Sequence, residues 1–338
     1  MSEITFLTAD YSAVRGGSAG LIDLSSRGRI LVSGSEAVTF LNGLITNDVK
    51  TLALNSWMPA AFANVQGRLL AAVRVIHRED GFLIDTEAAT HRTVLSLVER
   101  FTLAGDFKVT DLTNDIVSFS VQGRRAPEMI RGVLGADVAV VKKGRGVDAE
   151  IENSCKAFVI RATHTAEDGF DLFINADDAD AVRDRFISGG AIVVSEGVAE
   201  TVRIEAGIPR YGIDMDETNV VTETNLDEAV NFAKGCYLGQ EIIVRIKHRG
   251  HVAKKLAGLV LQGHEVIQRR AKVLSSDGSE IGRVTSSTFS PELERAVALG
   301  YVKYDYLLPG TRVRTVTGGE EREGEIVELP FIRGSWYE

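Results

Sequence analysis

The chain has 338 residues, of which 44% are hydrophobic and 25% are charged, a composition typical of a globular protein of two or three structural units and not of a disordered chain. Its net charge of −9 argues against a general nucleic-acid coat. Because no apolar run approaches the roughly 18 residues of a membrane span, we predict a cytoplasmic protein, with no membrane contact and no nucleic-acid contact expected.

Two stretches in the first 200 residues share the same order of predicted elements. Residues 32–44 and 121–134 each read as a strand, a glycine turn and an amphipathic helix, and later in each half an Asp-Gly hairpin turn precedes a strand and a second helix. We therefore predict an α+β body of two related β-α-β-β-α units, roughly 28–110 and 115–200, with a cleft along their pseudo-symmetry axis. A chance likeness between two common patterns is the alternative.

Residues 234–241, KGCYLGQE, form the most distinctive segment of the chain. The octet sets a thiol, a phenol, an amide and a carboxylate around glycines, which permit unusual backbone conformations and close ligand approach. We predict a site loop with these members: Lys234, Gly235, Cys236, Tyr237, Gly239, Gln240 and Glu241. The alternative is a turn that leads into a strand, Ile242 to Ile246, with Cys236 as a small buried apolar residue.

A cationic run follows the octet and contrasts with the acidic average of the chain. It consists of Arg245, Lys247, His248, Arg249, His251, Lys254 and Lys255. Such a patch beside a polar glycine loop suits an anionic small molecule, a phosphate or nucleic acid. A strand edge that carries lysines against aggregation is the other interpretation.

Only two cysteines occur, Cys155 and Cys236, so neither a disulfide framework nor a four-thiolate metal site can form within the chain. His248 and His251 lack nearby residues of metal-ligand type at a suitable spacing. We predict no intrinsic metal, and one free reactive thiol as the point of interest.

After His251 the pattern changes to short strands separated by turn residues such as Asp277-Gly278 and Gly318-Gly319. This pattern predicts a small antiparallel β-barrel or sandwich. We place the domain boundary near Lys247, which gives a body over 1–247, including a site segment over 201–247, and a C-terminal barrel over 248–338.

The octet, followed by an arginine, resembles the signature of YgfZ-type folate-binding proteins, which are relatives of the glycine-cleavage T-protein. Three further segments resemble the same superfamily in order along the chain: FLNGLITNDVKTL, VRIEAGIPRYGIDMDE and GRVTSSTFSPELERAVALGYV. The resemblance implies a central folate cleft in the duplicated body, followed by the barrel domain, and tetrahydrofolate or a derivative as the ligand.

The resemblance also implies roles for individual residues around that cleft. It puts Glu205 where a carboxylate holds the pterin ring, since a carboxylate can accept two parallel hydrogen bonds from the ring. The same pocket is expected to include Tyr211 and Asn64. The glutamate tail of the folate would bind Arg245, with Arg249 as the second choice.

An ordinary salt bridge is the alternative role for Glu205, with Arg203 or Arg210 as the partner. The chain also departs from the T-protein pattern. Where the T-protein carries a pair of aspartates after a glycine turn, the simplest alignment gives Ala71 and Ala72. An alanine cannot take or orient a proton, so whether the chain is an enzyme stays open at this point.

Three functions follow from these observations. The first is a tetrahydrofolate-binding accessory protein that supports iron-sulfur cluster assembly or repair, with iron-sulfur client or assembly proteins as partners. There Cys236 acts as a functional thiol, helped by Lys234. The alternative is a folate-dependent aminomethyltransferase or demethylase, and a further alternative is a tRNA-enzyme adaptor that uses the cationic run.

Overall fold

The structure, a computed structural model, describes residues 8–100, 105–151 and 155–338, except for the side chain of Arg249. Its helices are α1 (Ala9–Ser12), α2 (Ala37–Leu44), α3 (His91–Glu99), α4 (Ala126–Leu134), α5 (Ala136–Ala139), α6 (Ala179–Ser188), α7 (Glu196–Glu205) and α8 (Gln240–Arg249). Its body strands are β1 (Gly20–Asp23), β2 (Gly28–Ser33), β3 (Ser56–Ala63), β4 (Leu69–Arg78), β5 (Gly81–Thr86), β6 (Lys108–Asp111), β7 (Ile116–Gln122), β8 (Gly146–Ile151), β9 (Cys155–Arg161), β10 (Gly169–Asn175) and β11 (Ile192–Val193).

The body consists of two sheets with matching topology, so the predicted duplication is confirmed. The first sheet has the order β3-β4-β5-β2-β6 and the second β8-β9-β10-β7-β1-β11, with β1 inserted before the last strand. Each half has three strands between its two main helices, one more than predicted. In the first half the additional strand is β3, where Pro59 and a run of alanines conceal the strand pattern, because proline is disfavoured inside strands.

Helices cover one face of each sheet, and the two remaining faces pack against each other. In the first half, Leu41 of α2 and Val94 of α3 join a core cluster with Ile30 and Val75 of the sheet. A separate cluster spans both halves and joins side chains from the two uncovered faces. Its buried members are Ile76, Leu83, Phe158, Ile160, Ala162 and Phe173. The duplicated body therefore contains an inner layer between its sheets.

The C-terminal part is a closed six-stranded barrel, as predicted, with the order β12-β15-β14-β13-β16-β17. Its strands are β12 (Lys254–Leu261), β13 (Lys272–Leu274), β14 (Glu280–Ser290), β15 (Arg295–Lys303), β16 (Arg312–Thr317) and β17 (Glu320–Val327). Helix α7 of the body packs against this barrel, where Ile204 contacts a cluster that includes Leu299 and Tyr301. The chain end then returns to the body, because the backbone N–H of Phe331 donates to the carbonyl of Glu205 at 2.9 Å.

The alternative prediction of a strand from Ile242 to Ile246 is wrong, because these residues lie in α8. Gly239 precedes the helix in a left-handed conformation with φ of 85°. Branched side chains favour strands, but Ile243 and Ile246 lie on one helical face and pack on a cluster with Leu69 and Tyr237. Tertiary packing thus outweighs local propensity here.

Within the described ranges, no helix is long and apolar enough to cross a membrane. The same ranges hold no group of three or more His, Cys, Asp or Glu side chains arranged to bind a metal ion.

Candidate functional site

The octet packs against the turn that joins β3 to β4. The Asn64 side chain stabilises this turn by accepting hydrogen bonds from the backbone N–H groups of Gln66 at 2.9 Å and Arg68 at 3.0 Å. A Cβ atom on Gly239 would lie 2.5 Å from the Asn64 carbonyl oxygen. Only glycine fits this contact, and the structure therefore brings Asn64 and the octet together.

Lys234 is a buried structural cation. Its ammonium donates to three backbone carbonyls that follow or end α2: Asn42 at 2.8 Å, Ile45 at 2.8 Å and Asn47 at 2.6 Å. Burial lowers the pKa of Lys234 to about 8. The charge of Asp48 opposes this effect, and repulsion from Lys50 adds to it. Because its three protons are engaged, Lys234 ties the octet to the first half of the body.

The other octet residues divide into buried and exposed groups. Tyr237 is buried, burial raises its pKa to about 12, and its hydroxyl has no hydrogen-bond partner among the described residues. Cys236 is exposed, so its alternative role as a buried apolar residue is wrong. Gln240 is half-buried and donates weakly to the Lys234 carbonyl at 3.5 Å, while Glu241 is exposed.

Tyr211 and Ala72 belong to the same region as Tyr237. Both pack against the cluster that contains Tyr237 and Ile243, and Tyr211 is half-buried. Ala71 points to the opposite face of β4, into the core beneath α2 and α3. Of the two alanines, therefore, Ala72 faces the inner side of the body.

Glu205 lies elsewhere, at the junction of the chain start, α7 and the barrel, and is fully buried. One carboxylate oxygen accepts from the hydroxyls of Tyr11 at 2.8 Å and Ser290 at 2.6 Å. The other accepts from Nε and Nη2 of Arg15. Glu205 does form a salt bridge, but its partner is Arg15, and neither of the predicted arginines pairs with it.

The two arginines predicted as alternative partners of Glu205 instead form a neighbouring ion-pair network. Arg203 pairs with Glu200 at 2.6 Å and with the buried Asp214 at 2.8 Å. Arg210 pairs with Glu200 at 3.1 Å. Asp214 also accepts from Thr285 at 2.6 Å and Ser286 at 2.7 Å of β14. This network fixes the segment after α7 to the barrel.

Arg245 is exposed on α8, on a different element from Glu205. Arg249 ends the same helix, and its side chain lies outside the described part of the structure. Of the predicted cationic residues, Arg245, Lys247 and His248 are exposed on α8. A separate contact stacks His251 on Tyr304 with ring centroids 3.9 Å apart.

A row of ionised side chains, which was not predicted from the sequence, lies between the two sheets. Arg74 on β4 donates through Nε to Asp85 on β5 at 2.8 Å and through Nη1 to Asp171 on β10. Arg27 binds the same Asp85, with Nε 2.9 Å from Oδ2. The only hint in the sequence was a charged residue inside apolar strands, as in FLID and GFDLF.

These pairings keep both buried aspartates ionised. Burial alone would raise the pKa of Asp85, but Arg27 and Arg74 hold it below its ordinary value. Burial likewise acts to raise the pKa of Asp171, and His164 and Arg74 overcome it, so that the pKa of Asp171 is low. The interior of the duplicated body is therefore charged and polar over part of its length.

A duplicated α+β body, joined to a six-stranded antiparallel barrel by hydrogen bonds to the buried carboxylates of Glu205 and Asp214, defines the structural class of this protein. The chain matches the family model of the GCVT N-terminal domain over residues 3–234 and that of the glycine cleavage T-protein C-terminal barrel domain over residues 254–332. The chain belongs to this T-protein family.

Relatives cover almost the whole chain. The aminomethyltransferase of Rubrobacter xylanophilus is 31% identical over 97% of this chain and 86% of its own length. That of Geobacillus kaustophilus is 28% identical over 98% and 92%. The solved structure of glycine cleavage system aminomethyltransferase T from Bartonella henselae superposes with a TM-score of 0.85, at 23% identity over 96% of this chain and 89% of that chain, which supports the fold.

These comparisons correct the leading functional prediction. An accessory role in iron-sulfur cluster assembly, with iron-sulfur partners, is wrong, because the full-length relatives are named aminomethyltransferases. The alternative prediction, a folate-dependent aminomethyltransferase or demethylase, agrees better with this finding.

Proposed function

We propose that the chain binds tetrahydrofolate or a derivative in the central region of the body and transfers an aminomethyl-type one-carbon unit. Support comes from the family match over both domains and from relatives that match almost the whole chain and carry the name aminomethyltransferase. The observation that carries the proposal is the charged row between the sheets, because a layer that served packing alone would be filled with apolar side chains.

Three buried hydroxyls without a hydrogen-bond partner in the described part of the chain favour a polar ligand in this protein. Thr222, Tyr237 and Tyr301 have side-chain oxygens without a hydrogen-bond partner among the described residues. A buried hydroxyl without a partner costs free energy, and a ligand rich in donors and acceptors would remove that cost. Thr222 and Tyr237 belong to the segment between α7 and the end of α8, and Tyr301 lies on the barrel strand that packs against α7.

The positions of the remaining predicted residues suggest which part of the folate each one would contact. Tyr211 lies in the cluster of Tyr237, and Asn64 lies in the turn beneath the octet, so we assign both to the ring side of the ligand. Glu205 would hold the pterin only by exchanging its bonds to Tyr11 or Ser290 for bonds to the ring. The exposed Arg245 is assigned to the glutamate tail, where a guanidinium binds carboxylates well.

Within the family, we propose the YgfZ-type branch as the finer assignment. It is supported by the octet and by alanines at positions 71 and 72. Cys236 stays a proposed functional thiol on the exposed side of the octet, and we expect Cys236→Ser to leave tetrahydrofolate affinity unchanged.

A label-transfer experiment tests the proposal. Wild-type protein is mixed with tetrahydrofolate and the ¹³C-labelled S-aminomethyl adduct of a small dithiol, a donor whose sulfur is a good leaving group. We expect the ¹³C signal to move to the folate faster than in the mixture without protein, because the cleft holds donor and acceptor together. The proposal would be contradicted if the label moved no faster than in the mixture without protein, although circular dichroism showed that the protein was folded.

A further inference from the structure

The loop between β9 and β10 presents a histidine that none of the assignments above uses. The Nε2 atom of His164 lies 2.9 Å from Oδ2 and 3.2 Å from Oδ1 of Asp171. Asp171 is fully buried, whereas the His164 side chain is 25% exposed. A buried carboxylate thus binds Nε2 of an imidazole that is partly exposed to solvent.

The carboxylate itself is fixed from two other strands. Ser120 on β7 donates to Oδ1 of Asp171, and Arg74 on β4 donates to Oδ2. These donors and His164 keep the pKa of Asp171 low against the opposing effect of burial. When the imidazole is neutral, its Nε2–H donates a hydrogen bond to the ionised Asp171, and the free lone pair is then on Nδ1.

The loop backbone is fixed as well. The side-chain oxygen of Gln122 accepts from the backbone N–H of His164 at 2.9 Å and from the Thr165 hydroxyl at 3.1 Å. The carbonyl of Thr165 accepts from Arg15 at 2.9 Å, and Arg15 in turn binds Glu205. His164 therefore lies on a rigid loop that connects the charged row to the Glu205 site.

The face of β4 that carries Ala72 and Arg74 offers no side chain that could accept the proton. Ala72 and Arg74 lie two residues apart on one face of this strand, roughly 7 Å along its axis. Ala72 has no proton to exchange, and Arg74 stays charged and is engaged by Asp85 and Asp171. His164 binds the same Asp171 as Arg74 does, so its imidazole lies beside this face of β4.

We infer that His164 is the proton acceptor for the transfer reaction, with Asp171 as its positioning residue; this inference rests on the proposed function. An N–H of tetrahydrofolate attacks the CH₂ of the aminomethyl donor, the C–N bond forms, and the C–S bond breaks with its electron pair left on sulfur. Nδ1 of His164 takes the proton from the attacking nitrogen and passes it to the sulfur. One thiol and one aminomethyl-folate result, and no oxidant is needed.

His164→Gln is the sharpest test, because its amide N–H₂ can replace Nε2–H at Asp171 while the acceptor at Nδ1 is lost. We expect kcat in the label-transfer assay to fall by roughly 10²–10⁴-fold, with tetrahydrofolate affinity changed less than about threefold. Asp171 and Arg74, the charged residues of this hydrogen-bond network, are unchanged in the variant.

His77→Gln provides the matched control. His77 lies on β4, is half-buried, and has its Nδ1 atom 2.8 Å from the Leu52 carbonyl oxygen. We expect this variant to keep the wild-type kcat. If His164→Gln also keeps the wild-type kcat, the inference is overturned.

A binding readout separates this inference from the proposed function. The imidazole C–H resonance of His164, identified by its loss in His164→Gln, is followed by NMR as tetrahydrofolate is added. A shift that saturates with binding supports contact between ring and ligand. Binding that leaves this resonance unmoved overturns the role of His164 while the folate site stands, and absence of binding overturns the proposed function itself.

Discussion

Single residues of the octet serve quite different purposes from those that their chemistry first suggests. Lys234 and Gly239 have structural roles. Lys234 donates three hydrogen bonds to backbone carbonyls. Gly239 allows the start of α8 to pack closely against the turn that contains Asn64. Cys236 and Glu241 are exposed. The octet thus combines an anchor to the first half of the body with a surface of free side chains.

The two glycines of the octet give a matched pair of substitutions. We expect Gly239→Ala to lower the free energy of unfolding by about 2–4 kcal/mol, because the residue has φ of 85° and its Cβ would meet the Asn64 carbonyl oxygen. Gly235→Ala should change it by less than about 0.5 kcal/mol, since nothing lies within 4 Å of its Cβ position. Urea unfolding of both variants measures the difference, and equal losses would refute this account of Gly239.

The location of individual site residues was only partly accessible from the sequence. The octet predicted a site loop over residues 234–241, whereas in the structure its last two residues, Gln240 and Glu241, begin helix α8. The partners of Glu205 were not predictable, because Tyr11 and Arg15 lie 194 and 190 residues away along the chain and carry no local pattern that points to a carboxylate. Long-range pairing of this kind depends on the folded chain as a whole.

At the scale of elements, the two sheets carry the polar interior. Their helix-covered faces follow the alternation of apolar residues that the sequence displays, and these strands were predictable for that reason. The inner faces also bury Arg74, Asp85 and Asp171, which breaks the alternation. Charges inside strands give no sequence signal for the strand on which their partners lie, so the row between the sheets appeared only in the structure.

Substitution of Arg74 tests the energetic role of that row. We expect Arg74→Met to lower the free energy of unfolding by about 3–5 kcal/mol, because two buried aspartates lose their shared cation. Arg78→Met on the same strand should cost about 1 kcal/mol or less, since its partner Asp148 is 61% exposed. Guanidinium unfolding of both variants is the measurement. A loss for Arg74→Met no larger than that for Arg78→Met would mean that the row contributes little to stability.

At the scale of the whole molecule, contacts from distant parts of the chain meet at Glu205. The chain start supplies Tyr11 and Arg15, the barrel supplies Ser290, and the C-terminal segment binds the Glu205 backbone through Phe331. Body and barrel are therefore joined at the residue that the family resemblance associates with the ligand. This arrangement predicts that ligand binding and the attachment of the barrel depend on each other.

Calorimetric titration with tetrahydrofolate tests the central claim most directly, with Tyr237→Phe as the companion variant. Wild-type protein should bind one equivalent, and Tyr237→Phe should bind roughly 5–30-fold more weakly, because about 1–2 kcal/mol of hydrogen bonding to the ligand is lost. The variant should remain as stable as the wild type without ligand, since its missing hydroxyl has no protein partner among the described residues. No binding heat from a folded wild-type protein would contradict a folate site in this chain.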